Sequence, residues 1–181
     1  MVTKMTLRCL PVVANNAIED KDVRHDKEVV CSPLKGTVKP LSEMKDPVFA
    51  SNGLGKGVVV VPAEGKVVAP CDGVLTTLFP TGHAFGITNH TGLEVLVHIG
   101  TDTVQLGEGY FVKHKQQGET VKKGDVIVTF DVKALEEKGY DSETAVVVSN
   151  TANYLDVIQV CDVNVDYSDE LLVAIVSEIK H

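Results

Sequence analysis

Two stretches of this chain repeat one design, and that repeat limits the fold more than any other feature. "EVVCSPLKGTV" begins at Glu28 and "GKVVAPCDGVL" begins at Gly65. Each carries two valines, then Pro-x-x-Gly, then further apolar residues, with Pro33–Gly36 matching Pro70–Gly73. Proline pre-sets the φ of a turn, and glycine supplies a backbone conformation that other residues avoid. Two strand-turn-strand units of the same make point to an internal duplication. Two such halves wrapping on one another give a closed or sandwiched β core. The composition agrees: 44% of the residues are apolar, tryptophan is absent and 15 glycines are spread along the chain. That mixture favours many short strands and tight turns.

The rest of the pattern fits an all-β antiparallel sandwich or barrel with one or two short helices. "GKGVVVVPA" holds a continuous apolar run ended by Pro62, as expected of a buried central strand. "GVLTTLFP", "DVIVTFD", "TAVVVSN" and "ELLVAIV" read as further strands, and "NYLDVIQVCDV" as a candidate for another. "DVKALEEKGYD" is the one clear helix, with Asp131 to cap its start and Gly139 to end it. Residues 1–27 differ in texture, being polar and aperiodic around "NNAIEDKDVRHDK". They read as a flexible arm or interdomain linker ahead of a single domain over residues 28–181, and His25 within them reads as solvated.

Charge and cysteine usage exclude several classes. The formal net charge is −8 with no basic cluster, which argues against nucleic acid and anionic membrane surfaces as partners. No apolar run reaches the length of a membrane span, and the N-terminus lacks a signal-peptide pattern. Cys9, Cys31, Cys71 and Cys161 are scattered without a CxxC, which favours a reduced, cytoplasmic setting and structural thiols.

"GHAFGITNHTGLEVLVHIG" (Gly82 to Gly100) reads as a hairpin with a histidine near each outer end. Centring the turn on His90 and Thr91 sets Thr88 opposite Leu93, Ile87 opposite Glu94, Phe85 opposite Leu96 and His83 opposite His98. Directly opposed side chains share a face, so the register predicts adjacent imidazoles within an apolar collar of Phe85, Ile87 and Leu96. Ala84, Gly86, Leu93, Val95 and Val97 then form the core face. A slip of one residue separates the two rings. His90, at the turn tip, and His114 read as solvated. Two adjacent imidazoles allow three readings. They bind a metal, given a third ligand from elsewhere. Or one attacks phosphorus while the other hydrogen-bonds the phosphoryl oxygens. Or both are structural.

"APCDGVLTTLFPTGHAFGI", "GLEVLVHIGTDTVQLGEGY" and "VKKGDVIVTFD", with "GYDSETAVVVSN" further on, resemble the glucose-type enzyme IIA domain of the bacterial phosphoenolpyruvate-dependent sugar phosphotransferase system. The resemblance runs over roughly residues 28 to 178. It implies an antiparallel β-sandwich built from a duplicated motif, in agreement with the Pro-x-x-Gly repeat. It implies that His98 carries a phosphoryl group on Nε2, that His83 supports it, and that Thr81 hydrogen-bonds His83. Asp46 and Asp102 match acidic residues flanking the site. Phe49 and Phe79 match apolar residues of the partner-binding surface, to which the hairpin register adds Phe85. The implied donor is the histidine phosphocarrier protein HPr and the implied acceptor a cysteine of the IIB domain of a sugar permease. The chemistry needs no metal or organic cofactor. The domain is then cytoplasmic, either free or tethered to a membrane permease. Two rivals come from other classes. A zinc peptidase on a related β fold requires ligands beyond the two histidines. A biotinyl or lipoyl carrier requires a modified lysine at a hairpin tip, and the tip residues of such domains are missing here.

Overall fold

The two Pro-x-x-Gly turns lie against each other. In the computed structural model, which describes residues 26–177, the Cys31 amide donates to the Pro70 carbonyl and the Val68 amide donates to the Pro33 carbonyl, both at 2.9 Å. These contacts are equivalent under exchange of the two repeats. The expected arm lies almost wholly outside the described residues, as do Cys9, His25 and His181. The first strand already includes Lys27.

Among the described residues fourteen strands follow in order: Lys27–Cys31 (β1), Gly36–Pro40 (β2), Lys56–Pro62 (β3), Lys66–Val68 (β4), Gly73–Leu78 (β5), Ala84–Thr88 (β6), Glu94–Ile99 (β7), Phe111–Lys113 (β8), Thr120–Val121 (β9), Val126–Phe130 (β10), Thr144–Val148 (β11), Asp156–Gln159 (β12), Asn164–Val165 (β13) and Glu170–Ile175 (β14). Among the described residues, Pro47–Ala50 (α1) and Val132–Glu137 (α2) are the two short α-helices. Asp131 caps α2 by accepting from the Lys133 and Ala134 amides, and Gly139 follows at φ 82°. All strand pairings are antiparallel.

Eight strands form one sheet in the order β13-β2-β3-β11-β7-β6-β5-β9, and two three-stranded sheets run β1-β14-β12 and β4-β10-β8. The order is palindromic. Exchange of the halves takes β2 to β5, β3 to β6, β11 to β7 and β13 to β9, with the opposed pair Val97–Val146 at the centre. The same exchange relates a second pair of turns. Asp125 accepts from the Lys122 amide as Asp169 does from the Asp166 amide. Gly124 and Ser168 stand at the equivalent positive-φ position, at 90° and 67°. The inner faces of the sheets bury Val30, Leu34, Val60, Val67, Leu75, Phe85, Ile87, Val95, Val97, Ile127, Val146 and Leu172 in one core. A smaller cluster of Leu41, Met44, Phe49, Val59, Ala145 and Val147 covers the other face of the large sheet at its centre.

The histidine hairpin differs from the expected register by one residue. Ala84, not His83, faces His98, and Phe85 faces Val97. The loop is centred on Thr91. The Asn89 amide donates to the Leu93 carbonyl at 2.9 Å, and Gly92 adopts φ 92°. Asn89 Oδ1 accepts from both the Thr91 and the Leu93 amides. A three-residue loop closed by a left-handed glycine is a favoured hairpin connection, and it moves every pair by one. Phe85 and Ile87 therefore point into the main core, not into a collar around the histidines. Phe85 is fully buried and offers no surface to a partner.

Candidate functional site

The register slip separates the two histidines by parity, yet their rings meet. β6 begins only at Ala84. His83 sits in the bend after Gly82, whose φ is 82°. Its carbonyl still accepts from the Ile99 amide at 2.8 Å. Outside the pleat, its side chain is not bound to the alternation of the strand. It reaches the outer face, where the imidazoles of His83 and His98 pack edge to face with centroids 5.0 Å apart. Phe79 stands edge-on to His83 at 5.1 Å, and Phe49 is tilted against His98 at 5.1 Å. Apolar rings thus flank both imidazoles. Their identities differ from the expected collar.

Each imidazole has one nitrogen engaged. His98 Nδ1 lies 2.9 Å from the Gly100 carbonyl oxygen. A carbonyl only accepts, so Nδ1 carries the proton and donates, and neutral His98 keeps its lone pair on Nε2. Gly100 makes this possible by turning at φ 73°, so that its carbonyl faces back towards the ring. A Cβ there would meet the Asp141 carbonyl oxygen at 2.3 Å and Thr103 Cγ2 at 2.4 Å. His83 Nδ1 pairs with Thr81 Oγ1 at 2.5 Å. A hydroxyl can donate or accept, so this contact leaves the His83 tautomer to its surroundings.

Burial sets the charge state. His83 is only 3% exposed. Desolvation, followed by repulsion from His98, pushes its pKa down to about 4. Burial also lowers His98, opposed by the Gly100 carbonyl and by the negative charges of Asp46 and Asp102. Both rings are therefore neutral near pH 7. His98 offers an unengaged Nε2 lone pair, and His83 stands beside it as a neutral hydrogen-bonding group.

The remaining expected residues divide. Asp46 caps α1 through the Val48 amide at 2.9 Å, and Asp102 adopts φ 57° ahead of the 3₁₀ turn Thr103–Leu106; both lie within electrostatic reach of His98. Phe79 is 39% exposed and available to a partner. Phe49 is 2% exposed, so it forms the wall behind His98 and not an open docking surface. Val48 on α1 and Val104 on the 3₁₀ turn are also exposed apolar residues. The sequence reading missed Gly100, whose carbonyl fixes the His98 tautomer. Its one legible signal was a glycine directly after the strand that bears the histidine. His90 is exposed at the turn tip, and exposed His114 bonds Thr129 Oγ1 at 2.7 Å. Burial raises the Cys71 thiol to about 12, and Cys31 and Cys161 are also raised chiefly by burial, in keeping with structural roles. Among the described residues, no group of three His, Cys, Asp or Glu is placed to hold a metal ion. Also among these residues, no helix is long and apolar enough to cross a membrane.

Comparison with known proteins shows the family. The β-glucoside-specific EIIBCA component of Halalkalibacterium halodurans is 44% identical over 81% of this chain, but the match spans only 23% of that protein. The glucose-specific EIIA component of Oceanobacillus iheyensis is 44% identical over 74% of this chain and 82% of its own length. The solved structure of glucose permease IIA from Mycoplasma capricolum superposes with a TM-score of 0.74 at 32% identity, covering 82% of this chain and 96% of that one. The family model for the phosphoenolpyruvate-dependent sugar phosphotransferase system, EIIA 1, matches residues 28–154, a span that contains both histidines, and the chain belongs to that family.

Proposed function

We propose that this chain is a phosphoryl carrier that accepts phosphate from the phosphohistidine of HPr onto His98 and hands it to a cysteine of a IIB domain. The Nε2 lone pair of His98 attacks phosphorus in line, the donor's N–P bond breaks, and the donor imidazole leaves with its electron pair. In the second step an acceptor thiolate attacks the same phosphorus and His98 Nε2 is the leaving group. The observation that carries the reading is the donated Nδ1–H of His98, which leaves Nε2 as a bare nucleophile beside a second imidazole. His83 serves as a hydrogen-bond donor to the phosphoryl oxygens when Thr81 donates to its Nδ1 and leaves the proton on Nε2. Phosphoryl transfer of this kind depends on positioning and charge stabilisation.

Partner choice follows from the rim. Phe79, Val48 on α1 and Val104 on the 3₁₀ turn after Asp102 are exposed apolar residues, and Asp46 and Asp102 add negative charge. That surface suits a partner with an apolar patch ringed by arginine, since arginine pairs carboxylates in a bidentate fork. A docked partner excludes water from the N–P bond. The domain is proposed to work in the cytoplasm, either free or joined to a permease as in its EIIBCA relatives.

The test is incubation with phosphoenolpyruvate, enzyme I and HPr, followed by intact mass. One acid-labile, base-stable phosphoryl group is expected on the wild type and none on His98→Ala. Labelling of His98→Ala at the wild-type level overturns the assignment.

A further inference from the structure

The loop before β11 is tied to the loop that carries Asp46, and the tie ends on the His98 ring. Lys45 Nζ lies 3.0 Å from Asp141 Oδ2. The other oxygen of that carboxylate, Oδ1, accepts from the Glu143 amide at 2.8 Å. The Glu143 carbonyl in turn accepts from the Gly100 amide at 2.9 Å. Gly100 then presents its own carbonyl to His98 Nδ1 at 2.9 Å. Glu143 is held a second time, by Lys39 Nζ at 2.6 Å from its carboxylate. The Asp141 carbonyl and Thr103 Cγ2 both crowd the side of Gly100 on which a side chain would stand.

We infer that Asp141, held by Lys45, is a positioning residue for His98: it shapes the 141–143 loop that fixes the Gly100 peptide and thereby keeps the ring proton on Nδ1. The inference rests on the proposed role of His98 and adds to it the group that maintains its reactive tautomer. As a surface ion pair, Lys45–Asp141 contributes little to stability. Its consequence is geometric. One carboxylate organises the turn that feeds the hydrogen bond on the His98 ring. Second-neighbour groups that orient a histidine in this way commonly change activity about 10- to 100-fold when removed, as measured for metal-bound imidazoles. A small misplacement of the nucleophile has effects of the same order.

The geometry also separates the two oxygens. Asp141→Asn keeps an oxygen for the Glu143 amide and loses the charge that holds Lys45. Asp141→Ala loses both. Lys45→Met breaks the ion pair from the other end, and Lys45→Arg restores it.

The experiment measures the ring nitrogens of His98 by ¹⁵N NMR on the folded, unphosphorylated protein, together with single-turnover labelling by phosphorylated HPr. Asp141→Ala is expected to raise the Nε2–H share of His98 and to slow labelling about 10- to 100-fold. Lys45→Met is expected to do the same in smaller degree, with Lys45→Arg close to wild type. A merely structural role lowers the unfolding midpoint without moving the tautomer. A wild-type tautomer and labelling rate in folded Asp141→Ala overturns the inference. Where that variant does not fold, Asp141→Asn, which loses only the ion pair, is expected to match Lys45→Met, and wild-type values in both overturn the inference. If wild-type protein accepts no phosphate, the functional reading fails, while the NMR result still tests the link from Asp141 to His98.

Discussion

His83 is a buried base held neutral, and this has a measurable cost in acid. Its pKa falls from 6.5 to about 4 on folding, mainly through desolvation. A tenfold change in proton affinity corresponds to about 1.4 kcal/mol. The unfolded chain binds a proton at this position first, so the native state loses stability as the pH drops. The loss is absent above pH 6.5, grows between 6.5 and about 4, and levels off at about 3 kcal/mol below that window. His83→Gln removes the titration and keeps an amide of similar reach. The assay is equilibrium urea unfolding of both proteins at pH 7.5 and pH 4.5. The wild type is expected to lose about 2–3 kcal/mol more than the variant over that interval. Protonation of carboxylates acts on both proteins alike and cancels in the difference. His98 titrates in both as well. The neutral-pH cost of losing the Thr81 contact is removed by comparing the two slopes, not the two stabilities. Equal pH slopes would show that His83 protonates freely in the folded protein, and the argument for a neutral imidazole pair would be refuted.

The same variant separates the two histidines in function. His83→Gln is expected to accept phosphate from HPr but to pass it to purified IIB about 10²–10³ more slowly, by analogy with removal of an oxyanion-hole donor; a wild-type chase rate reduces His83 to scaffold. Gly100→Ala places a Cβ within 2.3 Å of the Asp141 carbonyl oxygen at φ 73°. It should lower stability by more than about 2 kcal/mol in urea unfolding, because the left-handed backbone alone costs about 1–2; an unchanged midpoint contradicts the packing described for this turn.

Much of the fold was legible because duplication leaves marks wherever the backbone demands a particular residue. Pro33–Gly36 and Pro70–Gly73 were read correctly as equivalent turns. The second equivalent pair was not, because its shared chemistry resides in aspartate side chains capping turns, Asp125 and Asp169, while the neighbouring residues differ. Gly124 has a serine, Ser168, as its counterpart, which hides the positive φ that both adopt. The hairpin register failed for a related reason. Alternating apolar residues fit two registers equally well, and the choice was made by Asn89 and Gly92, which set the loop length. Phe85 followed the register into the core. The pairing of the histidines was anticipated for the wrong reason, since His83 leaves the strand before the alternation applies. The Gly100 carbonyl was missed because a backbone acceptor has no letter of its own, and the glycine after the strand hinted only at a turn.

The symmetry also explains where the site lies. Exchange of the halves takes His98 to Val147 and Ala145 to Leu96, since His98 faces Ala145 and Val147 faces Leu96 on either side of the central Val97–Val146 pair. Two equivalent positions, His98 and Ala145 on one side and Leu96 and Val147 on the other, thus pair across the middle of the large sheet. The segment from Leu41 to Ala50 lies over this region, and Leu41, Met44 and Phe49 pack onto Val59, Ala145 and Val147. The aliphatic side chains there are thereby sealed, while His98 remains at the margin with Phe49 as its wall. The second histidine arrives from a bend outside the ladder, so it is free of the sheet's alternation. The doubly built scaffold carries His98, and the two irregular segments that break its symmetry, Leu41–Ala50 and Thr81–His83, supply the buried wall and the second imidazole. That division predicts where substitutions are tolerated: changes at Val147 that preserve its volume leave the His98 ring tautomer unchanged by ¹⁵N NMR, whereas a change at Gly100 shifts the carbonyl that His98 Nδ1 donates to and alters it.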